Sequence, residues 1–390
     1  MSTSREVPQT RPGSTRALVA LLAFVLGFAT VPHRVCEREA ARWLEGDPKS
    51  TDALAAGVAR WTNEELDATS FATGSSRFDG EWLFGTYVMA GIGFGQLARA
   101  REDTRAENVA RLEHCLDVLE TERLRAFDRA AWNEDAIESL DRDENGHVAY
   151  LGYVAVPYAL HRVLAPESRF AAREEAIVGA LERRILASPI GFVTTYPGEV
   201  YPVDNATIAA ALALHSRAVG RARSPAQDKL AASIRGAVDP ESGLLFQAVE
   251  EGTAKPRDAA RASGSALAAT LLAYAEPDLS ASLFRALARG QFRTVLGFGA
   301  VMEHPPSKHG KTDIDSGPVV LGFGVSATGF SLGASRAHGD REVFTALYAT
   351  AHLFGTPFDE NGARTYATGG PLGDAIMFAM LTTPRLGGGS

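Results

Sequence analysis

PVDNATIAAALALHSRAV, residues 202–219, opens with a proline and two hydrogen-bonding side chains, Asp204 and Asn205, and then turns apolar on nearly every face of a helix. A helix without a polar stripe must be enclosed by other protein, so this segment reads as an inner element with a polar start. The same order recurs along the chain. Polar starts stand at Phe78-Asp79-Gly80-Glu81, Asn145-Gly146-His147, Ser263-Gly264-Ser265, Asp313-Ile314-Asp315-Ser316-Gly317 and Gly369-Gly370-Pro371-Leu372-Gly373-Asp374. They are spaced about 50 to 67 residues apart, enough for an apolar helix, a loop, a more charged helix and a return. Six such hairpins close into a ring, and the expected fold is all-α, an (α/α)6 toroid.

The intervening stretches agree. Apolar helices are expected from Trp82 to Phe94, His147 to Leu164, Asp204 to Val219, Ser263 to Tyr274, Val319 to Ala334 and Leu372 to Leu381. More charged or mixed ones are expected over Glu107–Phe127, Arg169–Leu186, Ala226–Val238, Leu279–Phe292 and Arg341–Phe354, with a first outer helix over Thr51–Asp67. The apolar set belongs inside and the amphipathic set outside. No linker or charge block divides the chain after about residue 40, so residues 40–385 are expected to form one toroid domain.

Composition narrows the function. Hydrophobic residues make up 45% of the chain and charged ones 22%, values of a folded protein. A net charge of -8 without basic runs argues against nucleic acid or an anionic membrane as the main partner. At the N-terminus Arg5, Arg11 and Arg16 precede the apolar run Ala17–Val31, and Gly27-Phe28-Ala29 places small residues where a signal peptidase reads. Residues 1–31 therefore read as an export signal, with an uncleaved membrane tether as the second reading, and the protein as exported to the periplasm. Of the two cysteines, Cys36 and Cys115, the latter falls in an apolar-periodic stretch; a disulfide after export and a buried free thiol both fit.

The polar starts have two readings. Asp, Asn, Ser and His cap the unsatisfied amides of a helix N-terminus. In a toroid, however, six such ends point toward one mouth, where they converge on a central apolar cavity and make a site. Other motifs carry less. Asp141-Arg142-Asp143-Glu144-Asn145-Gly146 matches half a calcium loop, but Gly152 stands where the closing glutamate is needed. Gly329-Phe330-Ser331-Leu332-Gly333 spells a nucleophile elbow without a preceding strand. Gly91, Gly93 and Gly95 miss the dinucleotide fingerprint and suit close helix packing. His304 and His309 lack companion ligands, so neither a metal nor an organic cofactor is expected. Trp132-Asn133-Glu134-Asp135 followed by His147-Val148-Ala149-Tyr150 is more informative, because a carboxylate and an imidazole at one mouth can act as acid and base.

Several ordered stretches between about residues 79 and 381 resemble the linalool dehydratase/isomerase family, exported proteins with an (α/α)6 toroid. Trp132-Asn133-Glu134-Asp135 resembles its acidic tryptophan motif, and Gly146-His147 with Tyr150, Leu151 and Tyr153 resembles the helix of its active-site histidine. Gly191-Phe192-Val193, Tyr201 to Asn205, Asp239 to Gly243, Lys255-Pro256, Ser263 to Ala268 and Thr312 to Gly317 are similar in order. The family's two catalytic cysteines are replaced by Thr195 and Asp204, and a methionine before the histidine by Asp143. The resemblance thus implies a more acidic cavity and a more polar substrate.

The leading expectation is an exported acid/base lyase or isomerase of this type, eliminating or adding water or isomerising an alcohol-bearing small molecule. His147 and Asp204 are its expected proton-transfer pair and Glu134 and Asp135 assist them. Asp79, Tyr150, Thr195, Asn205, Asp313 and Asp315 are the expected substrate-binding residues. The alternative is a glycan-active hydrolase, lyase or epimerase on the same toroid, since paired carboxylates suit sugar chemistry. The third is a non-catalytic binding toroid, favoured if every polar start is used as a cap. A small-molecule alcohol or a glycan is the expected ligand, and the family resemblance implies a homo-oligomer.

Overall fold

The computed structural model describes residues 12–305 and 317–387. Its helices, in chain order, are α1 (Pro12–Glu45), α2 (Pro48–Asn63), α3 (Ser76–Ala100), α4 (Arg105–Leu119), α5 (Glu122–Trp132), α6 (Val148–Leu164), α7 (Ala171–Ala187), α8 (Pro202–Ala218), α9 (Pro225–Gly236), α10 (Ala262–Leu272), α11 (Pro277–Ala286), α12 (Val325–Ala337), α13 (Arg341–Gly355) and α14 (Gly370–Leu381). Three antiparallel hairpins join them: β1–β2 (Phe292–Val295, Phe298–Val301), β3–β4 (Val319–Val320, Phe323–Gly324) and β5–β6 (Pro357–Glu360, Ala363–Tyr366).

Local chemistry sets the helix starts. Proline occupies the first turn of α8, α9 and α11, where its missing N–H would be unsatisfied anyway. Ser224 and Gln227 form a reciprocal capping box on α9, while Asp47 and Asp340 accept the backbone N–H groups of Ser50 and Val343.

The inner wall is a closed ring. α3 packs on α6, α6 on α8, α8 on α10, α10 on α12, α12 on α14, and α14 returns to α3. The outer helices α4, α7, α9, α11, α13 and α2 back them, so the architecture is an all-α six-hairpin toroid. Small residues let the inner helices approach closely. A methyl group on Gly93 would lie 2.3 Å from the Phe378 ring, and one on Gly333 would lie 2.7 Å from Met380 and Thr270.

Three expectations need correction. The central cavity is filled: between Met89, Gln96, Tyr153, Leu267, Tyr274 and Met380 there remains a void of about 10 Å³, room for one water. The fifth inner helix begins at Val325, later than Asp313–Gly317, because Leu321 and Gly322 take positive φ (+53° and +87°) and turn the chain into β3–β4. Asp313 and Asp315 lie outside the described residues. The charged stretch Glu107–Phe127 is two helices, α4 and α5, with the break at Glu120-Thr121. Cys36 and Cys115 are both buried and free. Among the described residues no helix is long and apolar enough to cross a membrane.

Gly93→Ala should lower stability by about 1–3 kcal/mol through overpacking against Phe378. Gly236→Ala, whose methyl meets nothing, should be neutral or slightly stabilising. Denaturant unfolding of the two variants checks the ring-closing contact.

Candidate active site

Most of the polar starts are used as clamps. Asp79, in the first turn of α3, accepts both the backbone N–H (2.9 Å) and the hydroxyl (2.7 Å) of Thr73. Asn205 is fully buried. Its side chain accepts from Val193 N–H and donates to the Val193 and Tyr201 carbonyls, pinning the 193–196 segment against α8. Ser263 donates to Glu303 at 2.6 Å. Asp374, at the start of α14, accepts from Trp61 Nε1 and from Tyr366 N–H, each at 2.8 Å. Burial pushes its pKa up to about 6.

His147 and Asp204 do not meet. His147 is fully buried, with Nδ1 2.6 Å from Asp128 Oδ2 and Nε2 3.1 Å from Glu134 Oε2, so both ring nitrogens are already engaged. Trp132 lies against the imidazole, ring centroids 4.8 Å apart. His147 takes φ +54° at the cap of α6, an uncommon conformation for a side-chain-bearing residue. Burial raises the Asp128 carboxyl pKa, opposed in part by the bond from His147. Against its own desolvation, Glu134 is held low by hydrogen bonds from Asn145 and His147 and by the charge of Arg142. Asp135 points elsewhere, to the Arg125 guanidinium at 3.0 Å and the Ile137 N–H. Tyr150 is also spent in the core, with its hydroxyl on the Leu119 carbonyl and its ring against Phe84. The expected proton-transfer pair is thus two separate clusters, and Tyr150 and Asn205 have no face toward a ligand.

Asp204 belongs to the second cluster, at the mouth of the ring. It lies in the first turn of α8 but caps no backbone amide: Tyr153, from α6, donates to Oδ1 at 2.8 Å and Thr195 donates to Oδ2 at 2.9 Å. Glu81, from the second turn of α3, accepts the Tyr196 hydroxyl and Arg77 Nε (3.0 Å). Arg77 stacks over the Tyr196 ring at 3.7 Å and reaches Glu199 at 3.8 Å, and Glu199 accepts from Tyr201. Three neighbouring inner helices, α3, α6 and α8, therefore present a carboxylate, a phenol and a second carboxylate from their first two turns.

Electrostatics make these two acids unusual. Burial is the main force raising Asp204, and the negative charges of Glu81 and Glu199 add to it. The bonds from Tyr153 and Thr195 oppose it, yet the pKa still rises to about 6. Desolvation and like charge thus outweigh the two hydrogen bonds. Burial also raises Glu81, restrained by Tyr196 and Arg77. Both carboxylates keep partial solvent exposure.

Glu81, Tyr153, Tyr196, Arg77 and Glu199 were not among the site residues expected from sequence. Glu81 closes the first polar start and Tyr153 belongs to the stretch that resembles the histidine helix, but each sits in the second turn of its inner helix and neither carried an expected site role. Arg77 is in the first turn of α3, whereas Tyr196 and Glu199 reach it only because the loop before α8 folds back over the start of α3, and nothing in their spacing signals it.

Because the Asp204 carboxylate is disfavoured in the fold, neutralising it should stabilise the protein. An aspartate raised from about 3.9 to about 6 binds more protons folded than unfolded between those values, so stability falls as pH rises through that window. Asp204→Asn should accordingly raise stability by about 1–3 kcal/mol above pH ~6, and the gain should vanish below pH ~4. Thermal unfolding across that range reads the difference.

No protein-family model matches the chain, and no curated protein sequence matches it. Among solved structures, the chain is similar to a GH76 α-1,6-mannanase of a Salegentibacter species, with 12% identity, a TM-score of 0.48, and coverage of 85% of this chain and 98% of that one. It is also similar to a GH76 α-mannanase of Bacteroides thetaiotaomicron, with 11% identity, a TM-score of 0.43, and coverage of 78% and 84%. At these values the likeness carries no argument about activity.

Proposed function

We propose that this protein is a glycan-active hydrolase whose acid/base pair is Asp204 and Glu81. One observation carries the reading: two partly exposed carboxylates, neither used as a helix cap, stand on the two inner helices that flank α6, α3 and α8, at the mouth of a ring whose centre keeps a void of about 10 Å³. A ligand must then lie across the mouth, which suits a chain-like glycan. Elimination or isomerisation of a small alcohol, implied by the resemblance to linalool dehydratase/isomerase, calls for an enclosed pocket, and a void of about 10 Å³ holds no such substrate. A purely ligand-binding toroid gives no reason to retain an acid whose ionised form the fold disfavours.

In this reading Asp204, protonated below about pH 6, donates its proton to the glycosidic oxygen as the bond from that oxygen to the anomeric carbon breaks. Tyr153 and Thr195 hold its two oxygens in place. Glu81, fixed by Arg77 and Tyr196, supplies negative charge to the oxocarbenium-like transition state. Water then adds to the anomeric carbon, and the proton it releases restores the acid. With Arg77 paired to Glu81 and Glu199 and Asp204 beside them, the mouth favours neutral or amino-bearing sugars over uronic acid polymers.

Asp204→Asn and Glu81→Gln should each lower turnover of a natural glycan by about 10²–10⁴-fold. Asp204→Asn should lose far less on an aryl glycoside with an acidic leaving group, which needs no proton. The wild-type rate should fall above pH ~6 as Asp204 ionises. Product release across pH ~4–8 from an activated aryl glycoside and a panel of neutral (α-1,6-mannan), amino-bearing (chitosan oligomers) and anionic (polygalacturonate) glycans checks all three points. Unchanged rates in both variants, or preferential cleavage of polygalacturonate, would remove this assignment.

A further inference from the structure

α1 is held by the ring at one end only. From Cys36 onward its inward side chains are buried, Trp43 Nε1 donates to the Tyr348 hydroxyl at 2.8 Å, and Arg336 and Arg385 donate to the carbonyls of Trp43 and Leu44. Ahead of Cys36 the large apolar side chains that are described are exposed. Val19, Leu21 and Val31 are 58–60% exposed and Val35 is 49% exposed.

A second apolar element meets the helix where it leaves the ring. The tip of the β1–β2 hairpin carries Val295 and Leu296, 70% and 69% exposed. The tip touches α1 two residues beyond Val31: a methyl group on Gly297 would lie 2.1 Å from the His33 imidazole, and Phe298 packs edge-on to the same ring at 5.8 Å. Leu296 and Gly297 have φ of +51° and +84°, the turn geometry for which Asn-Gly is the usual choice. A leucine there works against the backbone's preference and presents its side chain to solvent. Exposed arginines frame this edge, Arg34 and Arg38 on α1, Arg293 on β1 and Arg341 at the start of α13, against Glu37 and Glu342. The sequence ahead of the apolar run adds Arg5, Arg11 and Arg16.

We propose that the apolar N-terminal half of α1 and the Val295-Leu296 tip form one membrane-docking edge that seats the protein on an anionic lipid surface without spanning it. The run Ala17–Val31 rises about 22 Å as a helix, short of the roughly 30 Å hydrocarbon core. Apolar residues on two elements, flanked by arginine, are the composition of an interfacial anchor. Only four residues separate Val31 from Cys36, so the helix couples this edge to the ring without a flexible linker.

The test is flotation of the full-length chain with phosphatidylcholine vesicles, with and without phosphatidylglycerol. The chain should float with the anionic vesicles and be released by salt. The double variant Val295→Ser/Leu296→Asn should lower vesicle partitioning about tenfold or more while keeping or raising the thermal midpoint, since Asn suits the turn. Three results would overturn the proposal: no flotation with either vesicle, unchanged partitioning of the double variant, or light scattering showing a dimer in lipid-free solution that the double variant dissociates. Recovery of the mature chain from its host without residues 17–31 would do the same.

Discussion

The close approach of the six inner helices governs what this molecule can do. Gly93 admits the Phe378 ring between α3 and α14, Gly152 admits Thr207 between α6 and α8, and Gly333 admits Thr270 and Met380. Larger residues at these points would hold the helices apart and open a channel. With glycine there, the side chains of neighbouring inner helices meet, and the centre keeps a void of about 10 Å³ between Met89, Tyr153, Leu267 and Met380.

At the mouth of the ring, position comes from neutral clamps and reactivity from the charges they orient. Asn205 ties the 193–196 segment to α8, which places the Thr195 hydroxyl on Asp204 beside the Tyr153 phenol. The aspartate so fixed is poorly solvated and faces two other acids, so its proton is retained to higher pH. This is a local loss of stability at a site rather than in the core, the usual arrangement where a fold keeps a group in an unfavoured state for use. The Asp128–His147–Glu134 cluster is organised differently. Its imidazole is enclosed, both nitrogens are bonded, and the backbone next to it, Val148 N–H on the Thr194 carbonyl, anchors the segment that carries Thr195. Its place in the structure is behind the rim, holding the start of α6.

Fold and site differ in how far they could be read from residues. The alternation of all-apolar and amphipathic helices, the regular spacing of their polar starts and the glycines suited to close packing gave the toroid, because these are properties of each helix and its immediate neighbour. The hairpin before α12 escaped, since Val320-Leu321-Gly322 reads as apolar in periodicity, and only its positive φ pair marks a turn. His147 and Asp204 both stand at inner-helix starts, and sequence offers no way to tell that the imidazole faces α5 and Trp132 while the carboxylate lies at the mouth between Tyr153 and Thr195.

Sequence by itself determined the helical ring, its inner and outer walls and the presence of acids at the inner-helix starts, since short-range periodicity and capping chemistry fix all three. Only the tertiary structure decided which acids remain available. That choice depends on packing between residues more than a hundred positions apart, such as Glu81 and Tyr196, and on whether side chains fill the centre, which no local pattern encodes.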